Sequence, residues 1–218
     1  DMKSGVAAFV TAMLELGPSL AEGPGVVLVI TAGEETGCEG ANYLAKQSDI
    51  LGNAGAIVVA EPTYNRPLIG HKGAIWIKAK TTGITAHGSM PEEGDNAVYK
   101  AARAIGKLED FDFNIARDPV LGKPTLNVGT VKGGMNVNSV PDGAEIGIDI
   151  RTVPNQDHYK IQADLARYLG EEVVLEPFVD VRGVLTDEDN EWMQNVFEIM
   201  GPILNEPITP TMAPYFTD

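Results

Sequence analysis

The residues able to do chemistry in this sequence are mostly carboxylates. Asp1 comes first, Glu34 and Glu35 are neighbours, and Glu61 stands in Glu61-Pro62-Thr63. The last two loci follow apolar runs that read as strands, Gly25 to Thr31 (GVVLVIT) and Ala56 to Ala60. In open α/β sheets, ligands bind at the carboxyl ends of strands. Acidic side chains converging there repel one another unless a cation or a shared proton intervenes. A divalent metal is the economical explanation, and adjacent glutamates suit a division of labour. One can ligate while its neighbour acts as general base toward a hydrolytic water. Spacing alone also fits a plainer reading, in which Glu34 and Glu35 sit near a helix start because its dipole favours acids.

Other polar residues are less distinctive alone. His87 lies in Thr85-Ala86-His87-Gly88-Ser89-Met90-Pro91, a loop between a strand and a helix. Such an imidazole could donate to an oxyanion, although a lone loop histidine equally suits a turn or surface position. His71 has no comparable setting, and His158 is expected to be exposed in the first turn of a helix. Gly133-Gly134-Met135-Asn136-Val137-Asn138 reads as a tight connection between strands with turn-forming asparagines. Arg151 ends a strand on a polar face, as a carboxylate clamp or a surface ion-pair partner. Cys38 reads as packing.

The elements that must position these residues fall into two patterns. Residues 6 to 16 are expected to be helical, with Val6, Val10, Met13 and Leu14 on one stripe and Gly17-Pro18 as the stop. The β-branched run 25–31 reads as a strand buried on both faces. A short helix near 39 to 47 and a second buried strand at 56–60 complete an α/β alternation. From about residue 70 the period changes. Ile75, Ile77 and Ala79 alternate with Trp76, Lys78 and Lys80, a strand with one wet face. A helix follows over 96–108, then strands at 125–132 and 144–151. Ile146, Ile148 and Ile150 alternate with Glu145, Asp149 and Arg151 there. Pro154-Asn155 is expected to open a helix closed by Gly170, and 172–178 to form a last strand. The order β-α-β-β-α-β is the ferredoxin-like arrangement. Thr186 with Asp189 suggests a capping box for a final helix. The expected fold is therefore α/β. An open α/β layer, incomplete, comprises residues 1–70 and 182–218. A ferredoxin-like domain, 71–181, is inserted into it.

Composition excludes several classes. The 218 residues are 44% hydrophobic and 22% charged, which rules out wholesale disorder. Sixteen Lys and Arg against 31 Asp and Glu leave a net charge of -15, so no electrostatic footprint for nucleic acid or an anionic membrane is present. No apolar run reaches the roughly 18 residues of a membrane span. The single cysteine favours a reducing, cytoplasmic setting. Asp1-Met2-Lys3-Ser4-Gly5 resembles neither a signal peptide nor a natural start, and the expectation is an internal fragment.

Seven short motifs occur in a fixed order: DMKSG (1–5), TAGEETG (31–37), EPT (61–63), GHKG (70–73), GITAHGSMPEEGDNA (83–97), GG…NSVP (133–141) and DIR (149–151). Together they resemble the di-zinc amidohydrolase and peptidase family of acetylornithine deacetylase, succinyl-diaminopimelate desuccinylase, aminoacylase and carboxypeptidase G. The resemblance implies that Asp1 bridges two zinc ions, with cobalt or manganese as possible substitutes. It implies that Glu35 and Glu61 are terminal ligands and that Glu34 is the general base. His87 is implied to stabilise the tetrahedral intermediate in the partner subunit's site. Asn138 and Arg151 are implied to bind the substrate carboxylate across the dimer. Lys72 stands where the desuccinylase pattern has arginine, as a further substrate contact. Two histidine ligands of the family are absent from this chain. The 71–181 segment is implied to be a lid that makes a homodimer through its edge strands or the helices beside them. Glu35 and Glu61 are expected to point into one cleft near Asp1, and the chain by itself to be inactive. The implied reaction is hydrolysis of an amide in an N-acyl amino acid. A dipeptidase or glutamate carboxypeptidase is the alternative among enzymes. A non-catalytic, dimerising or ligand-binding homologue is the alternative of another class.

Overall fold

The computed structural model describes residues 2–23, 25–47 and 50–217. The chain divides into two units. One comprises Asp1–Ile69, Thr186–Thr211 and Thr217–Asp218, the other Gly70–Leu185 and Met212–Phe216.

The second unit is built on an antiparallel sheet. Numbering strands and helices in chain order, its elements are β1 (Gly70–His71), β2 (Gly73–Thr82), α3 (Ala97–Glu109), β3 (Thr125–Gly133), β4 (Gly143–Thr152), α4 (His158–Leu169), β5 (Val173–Val181) and β6 (Val184–Leu185). Four strands form one sheet in the order β3-β4-β2-β5, and β1 pairs with β6. The register sets Gly73 opposite Thr152, Trp76 opposite Asp149 and Thr82 opposite Gly143. Because side chains alternate, one face collects Ile75, Ile77, Ala79, Ile146, Ile148 and Ile150. Ala97, Ala101, Ala104 and Leu108 of α3 and Ile161, Leu165 and Leu169 of α4 belong to the same core. Burying each large aliphatic side chain there contributes about 1.5–3 kcal/mol. The other face carries Trp76, Lys78, Lys80, Asp149 and Arg151.

Caps fix the helix starts. Asn96 Oδ1 accepts from the amides of Val98 (2.9 Å) and Tyr99 (3.1 Å). Asp157 Oδ1 does the same for Tyr159 (2.9 Å) and Lys160 (3.4 Å). The second of these corrects the expected start at Pro154-Asn155. Asn155 takes a left-handed φ of 68°, which an α-helix cannot accommodate, so α4 begins after it. His158 is also corrected. It does sit in the first turn of α4, but it is 2% exposed rather than on the surface.

The first unit contains α1 (Lys3–Leu16), a 3-10 turn over Gly17–Glu22, α2 (Glu39–Ala45) and α5 (Glu191–Leu204). Gly5 of α1 lies against Ala60, where an added Cβ would come within 2.6 Å of the Ala60 carbonyl oxygen. Two expectations fail here. The runs 25–31 and 56–60 form no strand ladder, and Val27, Ile30, Ile57 and Val58 are 65%, 59%, 75% and 59% exposed. A strand of a parallel sheet is buried only when neighbours bond to it and helices cover it, and the described residues supply no such neighbours. The α/β layer therefore appears without its sheet. The Thr186 capping box is also overturned, because Asn190 caps α5, accepting from Trp192 N (3.0 Å) and Met193 N (3.4 Å). Among the described residues, no helix is long and apolar enough to cross a membrane.

Candidate functional site

Of the candidate acidic residues in the first unit, Glu34 and Glu35 sit in a turn and Glu61 in an irregular segment. Glu34 and Glu35 occupy a turn that runs into α2. The Glu34 carbonyl accepts from Gly37 N (3.0 Å) and Cys38 N (3.1 Å), and the Gly33 carbonyl from Glu39 N (3.1 Å). Gly33 has φ +87°, which the turn needs and a side chain would oppose. Glu34 is half-buried and Glu35 exposed. Glu61 is half-buried, and one of its carboxylate oxygens accepts from the Thr217 hydroxyl at 2.5 Å. Asp1, and with it the cleft expected around Asp1, lies outside the described residues.

These residues do not by themselves fit a metal. A zinc site takes three or four protein ligands, nearly always with nitrogen or sulfur among them. Among the described residues, no group of three or more His, Cys, Asp or Glu side chains is placed to hold an ion. Glu35 and Glu61 come from separate segments, and Glu61 is engaged by the Thr217 hydroxyl.

The second unit brings its candidate residues together in two pairs. At the end of the sheet where β2 finishes and β4 begins, the His87 loop is bonded to the β3–β4 connection. Gly88 N donates to the Asn138 carbonyl (2.8 Å) and Val140 N to the Ala86 carbonyl (2.8 Å). This holds His87 and Asn138 side by side, both exposed. Ser89 N donates to His87 Nδ1 at 3.2 Å, with Ser89 Oγ 2.7 Å from the same nitrogen. A backbone amide can only donate, so Nδ1 is the acceptor and the neutral ring carries its proton on Nε2. His87 is thus arranged to present an N–H donor to solvent.

Lys72 and Arg151 occupy the opposite end. Arg151 pairs in register with Ala74 and Thr125, and its Nε lies 2.9 and 3.0 Å from the two carboxylate oxygens of Asp149. Lys72 is buried at 7% exposure, and its Nζ donates to the Lys123 carbonyl at 3.0 Å. Burial pushes its ammonium below the ordinary lysine range. Asp118 opposes this and the Arg151 charge adds to it.

The two pairs are separated by the length of the ten-residue strand β4, roughly 30 Å at about 3.3 Å per residue. This corrects the expectation that Asn138 and Arg151 of one subunit reach a single carboxylate. The strand between them is longer than any small substrate, so one subunit cannot supply both.

Four partners of these residues escaped the sequence reading. Ser89 fixes the His87 tautomer. Asp149 and Phe216 flank Arg151, and Trp76 bonds Asp149 in turn. Asp149 and Arg151 are two residues apart on one strand, which puts them on one face, and Ser89 follows His87 by two. Those spacings were the available signal. Phe216 comes from a distant segment and left none.

Comparison with known proteins gives a consistent family. Residues 69–175 match the family profile M20_dimer, described as a peptidase dimerisation domain. A probable succinyl-diaminopimelate desuccinylase of Staphylococcus epidermidis is 31% identical over 95% of this chain and 58% of its own length. An acetylornithine deacetylase of Myxococcus xanthus is 28% identical over 88% of this chain and 54% of its own. The chain thus spans little more than half of the curated relatives it matches. Among solved structures, a tripeptidase from Staphylococcus aureus covers the whole chain with a TM-score of 0.67 at 23% identity, which is a likeness of fold.

Proposed function

The chain belongs, by its residues 69–175, to the M20 peptidase family, and from that premise we propose that the whole protein hydrolyses an amide bond in an N-acyl amino acid. Succinyl-diaminopimelate and acetylornithine are the leading substrates, by likeness to the desuccinylase and deacetylase relatives. Short peptides form the second substrate class. The whole protein is metal-dependent in this reading, with Asp1, Glu35 and Glu61 as carboxylate ligands of two zinc ions. The described residues do not complete that site, and no step is derived through it. Glu34 takes the proton from the attacking water. His87 offers its Nε2–H to the oxyanion that forms as the carbonyl becomes tetrahedral. One such donor contributes on the order of 10²–10³-fold.

The single observation that supports this reading most is the His87 loop. The Ser89 amide on Nδ1 leaves an outward N–H donor, and the backbone bond from Gly88 ties that donor to Asn138. We read residues 71–181 as a ferredoxin-like lid and dimerisation domain, supported by the strand order β3-β4-β2-β5. In a homodimer made through this domain, His87 and Asn138 serve one active site and Lys72 and Arg151 the other. This arrangement reconciles the four residues with a small substrate. The protein works in the cytoplasm in this reading, which rests on its single cysteine.

The test is a hydrolysis screen of the whole protein with added zinc against acetylated, succinylated and peptidic substrates. Turnover of an N-acyl amino acid is expected. Cleavage of peptides alone would move the assignment to a peptidase. No turnover of any of them would favour a non-catalytic homologue. Sedimentation of the 218-residue chain at tens of micromolar is expected to show a dimer, and a monomer only would count against the lid's role.

A further inference from the structure

The Arg151 guanidinium is held in an unusual way for a surface ion pair. Its Nε, not its terminal nitrogens, faces the Asp149 carboxylate, 2.9 and 3.0 Å from the two oxygens. Trp76, opposite Asp149 in the register, donates its indole N–H to Asp149 Oδ1 at 3.0 Å. Asp149 is therefore tied on two sides. The Phe216 ring lies 5.1 Å from the guanidinium carbon and meets the Trp76 ring edge-on at 5.8 Å. The Phe216 ring backs the guanidinium while Asp149 occupies one edge. Among the described residues, Nη1 and Nη2 make no hydrogen bond. Arg151 keeps 24% of its side chain exposed, enough to meet a ligand. A simple surface ion pair would more often use the bidentate edge for its own carboxylate.

We infer that Asp149, braced by the Trp76 indole, is a positioning residue that takes the Nε of Arg151 so that its Nη1–Nη2 edge is presented to a substrate carboxylate. Rested on the reading of Arg151 as a substrate contact, this names the groups that make the contact directional. A guanidinium loses less freedom per bond formed when its plane is already fixed. The buried Lys72 ammonium adds a second positive charge at the same end of the sheet. It uses one of its donors on the Lys123 carbonyl, and Arg151 acts on it through its charge. The expected ligand is a carboxylate on a small molecule, held bidentately and assisted by a second cation.

The test is an NMR titration of the 218-residue chain, labelled with 15N-arginine, with N-acetylglycine as the carboxylate probe. In the wild type, the Arg151 Nη signals are expected to shift on titration while the Nε–H signal, already bonded to Asp149, moves little. Asp149→Ala is expected to weaken probe binding about tenfold and to make the Nε–H signal exchange rapidly. Asp149→Asn keeps an acceptor and should recover to within about threefold of wild type. Should Asp149→Ala fail to fold, Trp76→Phe removes the indole donor while keeping a ring, and about a threefold weakening is expected. Wild-type affinity in both Asp149→Ala and Trp76→Phe would overturn the positioning role and leave Arg151 as a carboxylate contact. No Arg151 shift in the wild type at tens of millimolar probe would overturn the contact itself, and the positioning role with it.

Discussion

Replacing His158 by alanine should destabilise the second unit strongly. The ring is 3% exposed and bridges two strands. Its Nδ1 lies 2.5 Å from Asp180 Oδ1 on β5, and its Nε2 lies 2.9 Å from Thr152 Oγ1 on β4. A neutral ring satisfies both, with Nδ1–H donating to Asp180 and Nε2 accepting from the hydroxyl. Thr152 is 0% exposed in the intact fold, so its hydroxyl loses its side-chain partner when the ring is removed. Leaving its hydroxyl unpaired costs roughly 1–3 kcal/mol. Asp180 keeps 41% of its side chain in solvent and can turn to water, so it adds little. The vacated ring volume adds about 1–2 kcal/mol of lost packing. The sum is about 2–5 kcal/mol, a large share of a domain's usual stability of about 5–15 kcal/mol. Urea unfolding followed by Trp76 fluorescence in a Trp192→Phe background reads this out. The diagnostic step is the double mutant. With Thr152→Val present, no hydroxyl is left to orphan, so His158→Ala should cost at least about 1 kcal/mol less than it does alone. Costs that add to within about 0.5 kcal/mol would refute the reasoning, as would a loss below about 1 kcal/mol for His158→Ala alone.

Other outcomes follow from close approaches and from charge. Gly83→Ala should unfold the second unit or shift its turn, since the new Cβ would sit 1.9 Å from the Asp95 carbonyl oxygen; a thermal midpoint like the wild type's would contradict this. Gly88→Ala places a Cβ 3.0 Å from the Asn138 backbone, so amide shifts should be confined to 86–89 and 137–140, and their absence would mean the two loops are not bonded. Lys72 has a folded pKa below the unfolded value of 10.5. Between the two, the unfolded chain binds more protons, so stability from this group rises with pH through that window. Comparing unfolding free energies near pH 8 and about pH 10, Lys72→Met should show a smaller rise than wild type, and equal slopes would contradict the burial effect.

The second unit was legible because its information is local. Ile75, Ile77 and Ala79 alternate with Trp76, Lys78 and Lys80, and that period alone assigns both faces of β2. Asn96 caps α3 from within its own turn. The failures share a cause in the other direction. The runs 25–31 and 56–60 have the composition of buried strands, but composition specifies an environment that neighbouring elements must supply. His158 looked like a surface residue because its partners, Thr152 and Asp180, come from other strands. Thr186 and Asp189 match a capping pattern, yet the helix starts one turn later, where Asn190 caps the amides of Trp192 and Met193. In the site, residue types were readable while their grouping was not. The strand between Arg151 and Asn138 separates two residues that the family resemblance implies for one carboxylate.

In the proposed function the whole protein is an amide hydrolase whose base is Glu34 and whose metal ligand is its neighbour Glu35. The most direct measurement is hydrolysis of an N-acyl amino acid, with bound metal quantified in the same samples, for wild type, Glu34→Gln and Glu35→Gln. Glu34→Gln should keep its metal and lose activity by at least about 10²–10⁴-fold, the usual contribution of a general base, while Glu35→Gln should lose metal. An active Glu34→Gln enzyme, or one that loses metal while Glu35→Gln keeps it, would contradict the account.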